Sequence, residues 1–375
     1  MMLWCKNPPI SLLGPGPLVN DGKSNLRNRL LNGMNVVDPN NIGTFLNYID
    51  DSIVFSDADT ATMNVNNEKL FEHLAKLKKD NRDRLWPRVR SKVDSNDVGR
   101  MQIESEDTVI EIDDPEIPEP MYPTHQALYQ MRTQIIQDSE IIKFHEFLNG
   151  PINTNTTVID KFDIHITTFK FNCLRPFIWF NDEIINFYMV MLQERDKALC
   201  NKYFNRKPSH FFNSFFMDRL IKTDNGYNFK NVVKWSKNLN VFNLNRIFFP
   251  INVSNSHWTL AVILIELMEL WYFDSLLGNG NNFLENLLKW LEDESKNKKY
   301  KNMTPPFNKN EWSKKSLGNF QPSQGKNETC CGVFACACAD YLSDDLQLVY
   351  NLQSIPQFRI KIGTDIIRGK LLYEI

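Results

Sequence analysis

The chain has 375 residues, with 43 Lys and Arg against 45 Asp and Glu. This length is enough to bury a sizeable apolar core in one large or two medium domains. The nearly balanced charge excludes an overall electrostatic surface for nucleic acid or an anionic membrane. We therefore expect no nucleic-acid partner, and partners have to be inferred from individual sites. Nothing in the composition indicates an oligomeric state.

No apolar stretch is long enough to predict a membrane span. The most apolar segment starts at Trp258 and is interrupted by Glu266 and Glu269. The first residues contain Pro and Gly where a signal peptide needs an unbroken apolar run. The seven cysteines are odd in number, and their spacing does not indicate a disulfide framework. We expect an intracellular compartment with reduced thiols.

Residues 1–133 are rich in Asn, Asp, Pro and Gly and show one helical pattern, at 66–79. We predict a mostly disordered, regulatory region. Its basic segment, 76–92, has two interpretations: a nuclear-import or anion-binding element, or a solvated helix face followed by a linker. A short β-prone run followed by acidic residues lies near 108–116, and such a segment can add a strand to a partner's sheet.

Residues 134–375 are dense in aromatic and aliphatic side chains and are predicted to form one folded α+β domain. A helix is expected from Asn181 or Asp182 to about Lys197, because Asn181 can cap it and acidic residues favour its first turn. The predicted strands are 246–253, 258–265 and 269–275, and the further helices are 283–297, 332–343 and a C-terminal one from Phe358 onward.

One histidine stands out because of its place in a predicted hairpin. His257 begins one strand, and Asp274 ends the next, with the turn about Leu267. Pairing of these strands brings the carboxylate to the imidazole, which it can then orient.

A cysteine nucleophile needs such a base, and it gains from standing at a helix N-terminus, where thiolate is favoured. Cys331 meets that second condition. Gln324, just upstream, has an amide that can donate to the oxyanion formed when thiolate attacks a carbonyl. Taken singly, a His beside a Trp or a Cys in an apolar helix is more often a packing residue. We interpret Cys336 and Cys338 as packing residues and expect no metal, because a helix points these thiols to different faces and no C-x-x-C pair is present.

Five blocks of sequence occur in an order that is similar to that of a known family. They are WFNDEIINFYMVML from Trp179, HFFNSFFMDRL from His210, VVKWSKNLNVFNLNRIFFPINVSNSHWTLAVI from Val232, WYFDSL from Trp271, and CGVFACACADYL from Cys331. The chain resembles the ubiquitin-like-specific proteases, the SUMO proteases of the sentrin-specific and Ulp type. The resemblance covers most of residues 134–375.

This resemblance implies a papain-like cysteine protease fold of the adenain-like type, preceded by a flexible region. It implies catalytic Cys331, His257 and Asp274, with Gln324 at the oxyanion hole and no cofactor. The implied reaction is cleavage after the C-terminal Gly-Gly of SUMO, for deconjugation from lysine and for precursor maturation. SUMO and SUMO-conjugated proteins are thus the expected partners, and the run near 108–116 resembles a SUMO-interacting motif.

The resemblance also implies roles for three residues outside the triad. Trp179 and Trp258 would enclose a narrow tunnel for the Gly-Gly tail, where only glycine avoids a clash. Asp182 would contact a basic residue of the modifier. The alternative for both indoles is packing in the core. A nuclear or nuclear-envelope location is expected from the family, with the cytoplasm as the alternative.

Two departures from the family pattern leave alternatives open. Cys330 stands where the family usually has Asp, and Gln324 lies seven residues before Cys331 rather than the usual six. The usual spacing would select Cys330, which is a rival nucleophile, although Cys331 directly precedes the Gly332 block. The alternative functions are a Nedd-type or ubiquitin deconjugase and a catalytically dead SUMO-binding module.

Overall fold

The computed structural model describes residues 122–150, 155–203, 206–222, 226–303, 305–317, 322–325, 327 and 329–371. Three features predicted from the sequence lie outside these residues. They are the helix at 66–79, the basic segment 76–92 and the acidic run near 108–116.

The described part of the chain is a mixed α+β structure. Its helices are α1 (His125–Arg132), α2 (Asp138–Asn149), α3 (Thr168–Phe171), α4 (Asp182–Lys202), α5 (Phe215–Leu220), α6 (Asn281–Ser295), α7 (Cys331–Ser343) and α8 (Ile355–Arg368). Its strands are β1 (Thr157–Lys161), β2 (Ile164–Thr167), β3 (His210–Phe211), β4 (Ile221–Lys222), β5 (Gly226–Tyr227), β6 (Arg246–Val253), β7 (His257–Leu264), β8 (Glu269–Phe273) and β9 (Ser313–Ser316). The helices and strands predicted after residue 180 are confirmed, with small displacements of their ends. None of the helices in the described residues is long and apolar enough to span a membrane.

A five-stranded sheet in the order β3-β6-β7-β8-β9 is the centre of the described residues. Strands β6, β7 and β8 are antiparallel, and β3 and β9 add parallel strands at the edges. The central strand β7 is covered on both faces. Leu260 and Val262 belong to one core cluster with the residues of α7, whereas Ala261 and Ile263 pack in a second cluster with Trp290 of α6. Burial on both faces explains why the stretch from Leu260 to Leu264 is apolar at every position rather than at alternate ones.

Helix α4 begins where its sequence predicts. The side-chain oxygen of Asn181 accepts a hydrogen bond from the backbone N–H of Ile184 at 3.0 Å. Asp182 and Glu183 lie in the first turn, where the positive end of the helix dipole favours acidic groups. This cap fixes the point at which the chain leaves the segment carrying Trp179 and enters the core.

Helix α1 lies before residue 134, the predicted start of the folded domain, yet it packs on the same core. Leu128 is fully buried in the cluster that contains α7. The Arg132 guanidinium contacts Asp344 at 2.5 Å and Asp340 at 3.0 Å, and all three side chains are buried. The helix has only eight residues and its ion-pair partners lie more than 200 positions away, so its local sequence did not indicate this packing.

Removing one partner of this buried cluster is expected to be costly. Arg132→Met should lower the free energy of unfolding by about 3 kcal/mol, the low end for a broken buried pair, because Asp340 and Asp344 lose one cation but keep Arg195. The matched control is Lys197→Met, whose exposed side chain pairs with Glu194 at 2.7 Å. That change should cost about 0.5 kcal/mol or less. Urea unfolding of both variants measures the difference, and equal losses would contradict the role given to Arg132.

Candidate active site

The β7–β8 hairpin brings His257 and Asp274 together. Leu260 pairs with Phe273, so the residue that starts β7 lies near the one that follows β8. The His257 Nε2 is 2.6 Å from the Asp274 Oδ1. The contact expected from a hairpin about Leu267 is therefore present.

The Asp274 carboxylate is held by the turn that follows it. Its Oδ1 accepts a hydrogen bond from the backbone N–H of Leu276 at 2.8 Å. The backbone of Gly278 closes over the other oxygen, and a Cβ added at Gly278 would lie 2.3 Å from Oδ2. Glycine is required here by this close approach, and the turn fixes the carboxylate that orients His257.

Gly278→Ala is expected to displace the Asp274 carboxylate while leaving the core intact. A misplacement of about 1 Å at an orienting group should lower kcat by about tenfold or more. Steady-state kinetics with thermal unfolding measures this. Gly150→Ala is the control, because its added Cβ would lie no closer than 3.4 Å to a neighbour. A fully active Gly278→Ala variant would show that Asp274 does not need this constraint.

Cys331 is the first residue of α7, with Cys330 as its N-cap. Interaction with Cys331 is one of the causes that raise the pKa of His257, so the two side chains lie close together. Since Nε2 of the imidazole faces Asp274, Nδ1 is the ring nitrogen left for the thiol. The helix dipole and the free N–H groups at this helix start favour thiolate. The structure thus forms a continuous Cys331–His257–Asp274 chain of contacts.

The electrostatics of His257 favour its charged form. Burial by itself lowers the pKa of His257, but hydrogen bonds to Asp274 and Cys331 outweigh it and raise that pKa to about 9. At neutral pH the ring is therefore an imidazolium between the Asp274 carboxylate and the Cys331 sulfur. This is the environment in which a cysteine becomes a nucleophile.

Cys330 has a different environment although it is the adjacent residue. Burial raises the pKa of its thiol to about 12. The thiol donates a weak hydrogen bond to the backbone oxygen of Asn327 at 3.6 Å. At neutral pH Cys330 is a neutral thiol that is hydrogen-bonded to a carbonyl. The geometry therefore favours Cys331 as the nucleophile.

Gln324 is fully buried and joined to the same turn as Asp274. Its Oε1 accepts a hydrogen bond from the Ser275 hydroxyl at 2.7 Å, and its backbone N–H donates to the Ser275 oxygen at 3.0 Å. The amide nitrogen Nε2 is buried and has no hydrogen-bond partner among the described residues. Such an orphaned donor is costly unless it has a use, and donation to a developing oxyanion is one. Ser275, which orients the amide, carries no sequence signal that could have identified it.

The two tryptophans meet at Phe180. The Trp258 indole N–H donates to the Phe180 backbone oxygen at 2.8 Å, and Trp258 is only 3% exposed. Trp179, the preceding residue, is 46% exposed. Gly332 permits this arrangement, since an added Cβ there would lie 2.8 Å from the Phe180 Cβ. Trp258 and Phe180 therefore pack as one unit with the start of the Cys331 helix, and Trp179 directly precedes this unit in the chain.

Asp182 is less available than the sequence suggested. Its Oδ1 accepts a hydrogen bond from the Ser214 hydroxyl at 2.8 Å. Burial raises the pKa of Asp182, and the bond from Ser214 opposes that rise. Contact between Asp182 and a basic group of a modifier stays a prediction.

The remaining cysteines of α7 lie in the core. Cys336 and Cys338 are buried, and burial raises the pKa of both thiols. In the part of the chain that the structure covers, no three His, Cys, Asp or Glu side chains are grouped to hold a metal ion.

Comparison with known proteins gives matches over this same region. The model of the Ulp1 protease family, C-terminal catalytic domain, matches residues 178–369. Sentrin-specific protease 2 of Homo sapiens is 35% identical over 211 residues, which are 56% of this chain and 33% of that protein. Ubiquitin-like-specific protease ESD4 of Arabidopsis thaliana is 35% identical over 210 residues, which are 55% of this chain and 41% of that protein. The chain thus spans well under half the length of these relatives.

Solved structures match the same fold. The crystal structure of the C-terminal Ulp1 protease domain in complex with Smt3, the yeast ortholog of SUMO, is 26% identical with a TM-score of 0.50. The match covers 63% of this chain and 97% of that domain. A structure of the SUMO protease Ulp1 with its catalytic cysteine oxidised to a sulfenic acid matches at 25% identity and a TM-score of 0.51, over 63% of this chain and 96% of that one. The predicted fold class is confirmed.

Proposed function

We propose, from the premise that this chain belongs to the Ulp1 protease family, that it is a cysteine protease cleaving SUMO-type modifiers after their C-terminal Gly-Gly. The main support for this proposal is the position of His257, which contacts Cys331 on one side and Asp274 on the other. SUMO is the proposed modifier because the matched relatives are named sentrin-specific or SUMO proteases and one matched domain is bound to Smt3.

The first half of the reaction forms a thioester. The Cys331 thiolate attacks the carbonyl carbon of the modifier's last glycine, and the carbonyl electron pair moves to oxygen. The Gln324 amide and the backbone N–H of Cys331 stabilise this oxyanion. When the tetrahedral intermediate collapses, the C–N bond breaks and His257 gives its proton to the leaving amine.

The second half releases the modifier. Neutral His257 takes a proton from water, which attacks the thioester, and the C–S bond breaks to restore the thiolate–imidazolium pair. If the leaving amine is a lysine side chain, the reaction is deconjugation. If it belongs to a following residue, the reaction is precursor maturation. The same residues perform both, and no step requires a metal or a cofactor.

The tryptophans supply the proposed selection for glycine. Trp179 and Trp258 would line the path of the tail, where any side chain larger than hydrogen would clash. Trp258 is fixed by its bond to Phe180, whereas the indole of Trp179 is 46% exposed, so the tail would meet it from the solvent side. Asp182 is proposed to contact a basic residue of the modifier with the carboxylate oxygen not bonded to Ser214.

The raised pKa of His257 predicts the alkaline limb of the pH profile. His257 must be protonated to give its proton to the leaving amine, and its pKa is about 9. We expect kcat/KM to fall as pH rises above about 9, although thiolate itself is then plentiful. Initial rates from pH 6 to 10.5 measure the limb. A fall beginning near pH 6.5, the ordinary pKa of histidine, would show that Asp274 and Cys331 do not raise the pKa of His257.

Two alternatives use the same site. A Nedd-type or ubiquitin deconjugase would have the same chemistry, and a catalytically dead module would bind SUMO without cutting it. Incubation of the full chain with SUMO, Nedd-type and ubiquitin precursors, each extended beyond Gly-Gly, separates them by mass spectrometry. We expect a SUMO product ending in Gly-Gly and intact ubiquitin and Nedd-type precursors. Cleavage of those precursors alone would overturn the choice of modifier, and binding of SUMO without a product would overturn catalysis.

The proposal extends to the organisation of the chain and its location. Residues 134–375, with α1 packed on their core, would be the catalytic domain, the residues before α1 a regulatory region with a SUMO-interacting motif near 108–116, and the nucleus or nuclear envelope the location. The basic segment 76–92, interpreted above as a nuclear-import element, supports the nuclear location. Fluorescence imaging of the tagged full chain tests the location: nuclear signal that is lost when 76–92 is deleted is expected, and uniformly cytoplasmic signal of the full chain would contradict it.

A further inference from the structure

A buried arginine behind the candidate site has no place in the reaction described above. Arg359 lies on α8 and is 4% exposed. Its guanidinium donates to four backbone oxygens: those of Cys173 (3.1 Å), Arg175 (2.9 Å), Ile178 (3.0 Å) and Thr329 (2.9 Å). The planar, multiply donating guanidinium is suited to hold several acceptors in fixed directions.

These acceptors belong to two parts of the chain that both reach the candidate site. Three lie in residues 173–178, the segment that ends directly before Trp179. The fourth, the Thr329 oxygen, lies two residues before Cys331. One side chain therefore fastens the segment carrying Trp179 to the start of the helix carrying Cys331.

A stacking contact adds a second link between the same parts. The Arg359 guanidinium lies over the Phe180 ring, 5.0 Å from its centroid. Phe180 accepts the indole bond of Trp258 and packs against Gly332. Arg359 is thus in contact with the unit that positions both tryptophans relative to the Cys331 helix.

The charge of Arg359 also bears on the nucleophile. None of the carboxylates that the structure describes pairs with it, so its charge is compensated by the four carbonyl dipoles rather than by an anion. Arg359 interacts electrostatically with the thiols of Cys173, Cys330 and Cys331, and the other titratable groups beside Cys331 are His257 from β7 and Asp274 behind it. A cation at this place favours thiolate over thiol.

We propose that Arg359 is a positioning residue, which holds the Trp179 segment and the start of the Cys331 helix in the arrangement that a Gly-Gly tail and a reactive thiolate both need. The part that concerns the tail rests on the proposed function. The effect of Arg359 on the Cys331 thiolate does not depend on the proposed function.

Three variants of α8 separate this role from general packing. Arg359→Met removes the guanidinium together with its charge. Arg359→Lys keeps the charge, but its ammonium cannot reach four carbonyls at once. Arg368→Met is the control on the same helix, where Arg368 pairs with Glu140 and Asp365 away from the site. For each, we would measure the melting temperature, kcat and KM on a SUMO precursor, and the pH dependence of Cys331 alkylation by iodoacetamide, with Cys331→Ala as the blank.

Arg359→Met is expected to lower kcat/KM about 100-fold through loss of alignment. It should also move the midpoint of alkylation to higher pH, since a nearby cation is lost. Arg359→Lys should keep the wild-type midpoint yet lose about tenfold in kcat/KM, because the Trp179 segment is no longer held. Arg368→Met should change only the melting temperature.

Two results would overturn the proposal. One is an Arg359→Met variant with the kinetics and alkylation midpoint of Arg368→Met. The other, which decides the case if Arg359→Met does not fold, is an Arg359→Lys variant with kcat/KM within about twofold of wild type. If the wild type cleaves no modifier, the proposed function fails, but the alkylation midpoints still test the effect of Arg359 on Cys331.

Discussion

Cys331→Ala is expected to reduce cleavage of a SUMO precursor by at least about 10⁴-fold, since removing the nucleophile removes the covalent route. Cys330→Ala should stay within about fivefold of wild type, because its substitution changes packing and not chemistry. The two thiols are adjacent in sequence and equally buried, so each variant is the matched control of the other.

The physical reason lies in what each sulfur faces. Cys331 starts α7 and interacts with His257, whose raised pKa keeps the ring charged at neutral pH. Cys330 faces the Asn327 carbonyl, and its pKa of about 12 keeps it a thiol. Initial rates for both variants, with circular dichroism to verify folding, measure the difference. If Cys330→Ala is inactive and Cys331→Ala is active, Cys330 is the nucleophile, as the usual spacing from Gln324 suggests.

Gln324→Glu is expected to lower kcat by about 10²–10³-fold. The change is isosteric and keeps an acceptor for the Ser275 hydroxyl, but it replaces the buried, unpartnered Nε2 donor with an oxygen that repels an oxyanion. KM should change little, because the interaction develops in the transition state.

Ser323→Ala is the control for Gln324→Glu. Ser323 is the preceding residue of the same loop, and its hydroxyl donates to the Ser275 oxygen at 3.1 Å without facing the amide nitrogen. We expect a near-normal kcat for this variant in single-turnover assays. Equal losses in the two variants would show that the loop, rather than the Nε2 donor, supports catalysis.

The sequence predicted those parts of the site that depend on local pattern. The strands around His257 and Asp274 are strongly apolar and separated by a short turn, so their pairing followed from the residues alone. The cap at Asn181 and the helix start at Cys331 were likewise predicted from local chemistry. The assignment of roles to Trp179 and Trp258 needed the family resemblance, because their residue types alone favour core packing.

Contacts between distant side chains could not be predicted in this way. The bonds of Arg132 to Asp340 and Asp344 connect residues more than 200 positions apart. The contact of Arg359 with Thr329 joins α8 to the chain before α7, and the bond of Ser275 to Gln324 joins two turns. Arginine, serine and glutamine are ordinary on surfaces, so their burial is set by the tertiary fold and has no signature in the local pattern.

The most direct test of the proposed function is labelling of the full chain by SUMO, ubiquitin and Nedd-type proteins that carry an electrophile at the C-terminus, with the modified residue located by mass spectrometry. We expect one adduct, with SUMO, on Cys331, and none in Cys331→Ala. Absence of any adduct while SUMO still binds, or an adduct with ubiquitin or the Nedd-type protein in place of SUMO, would contradict it.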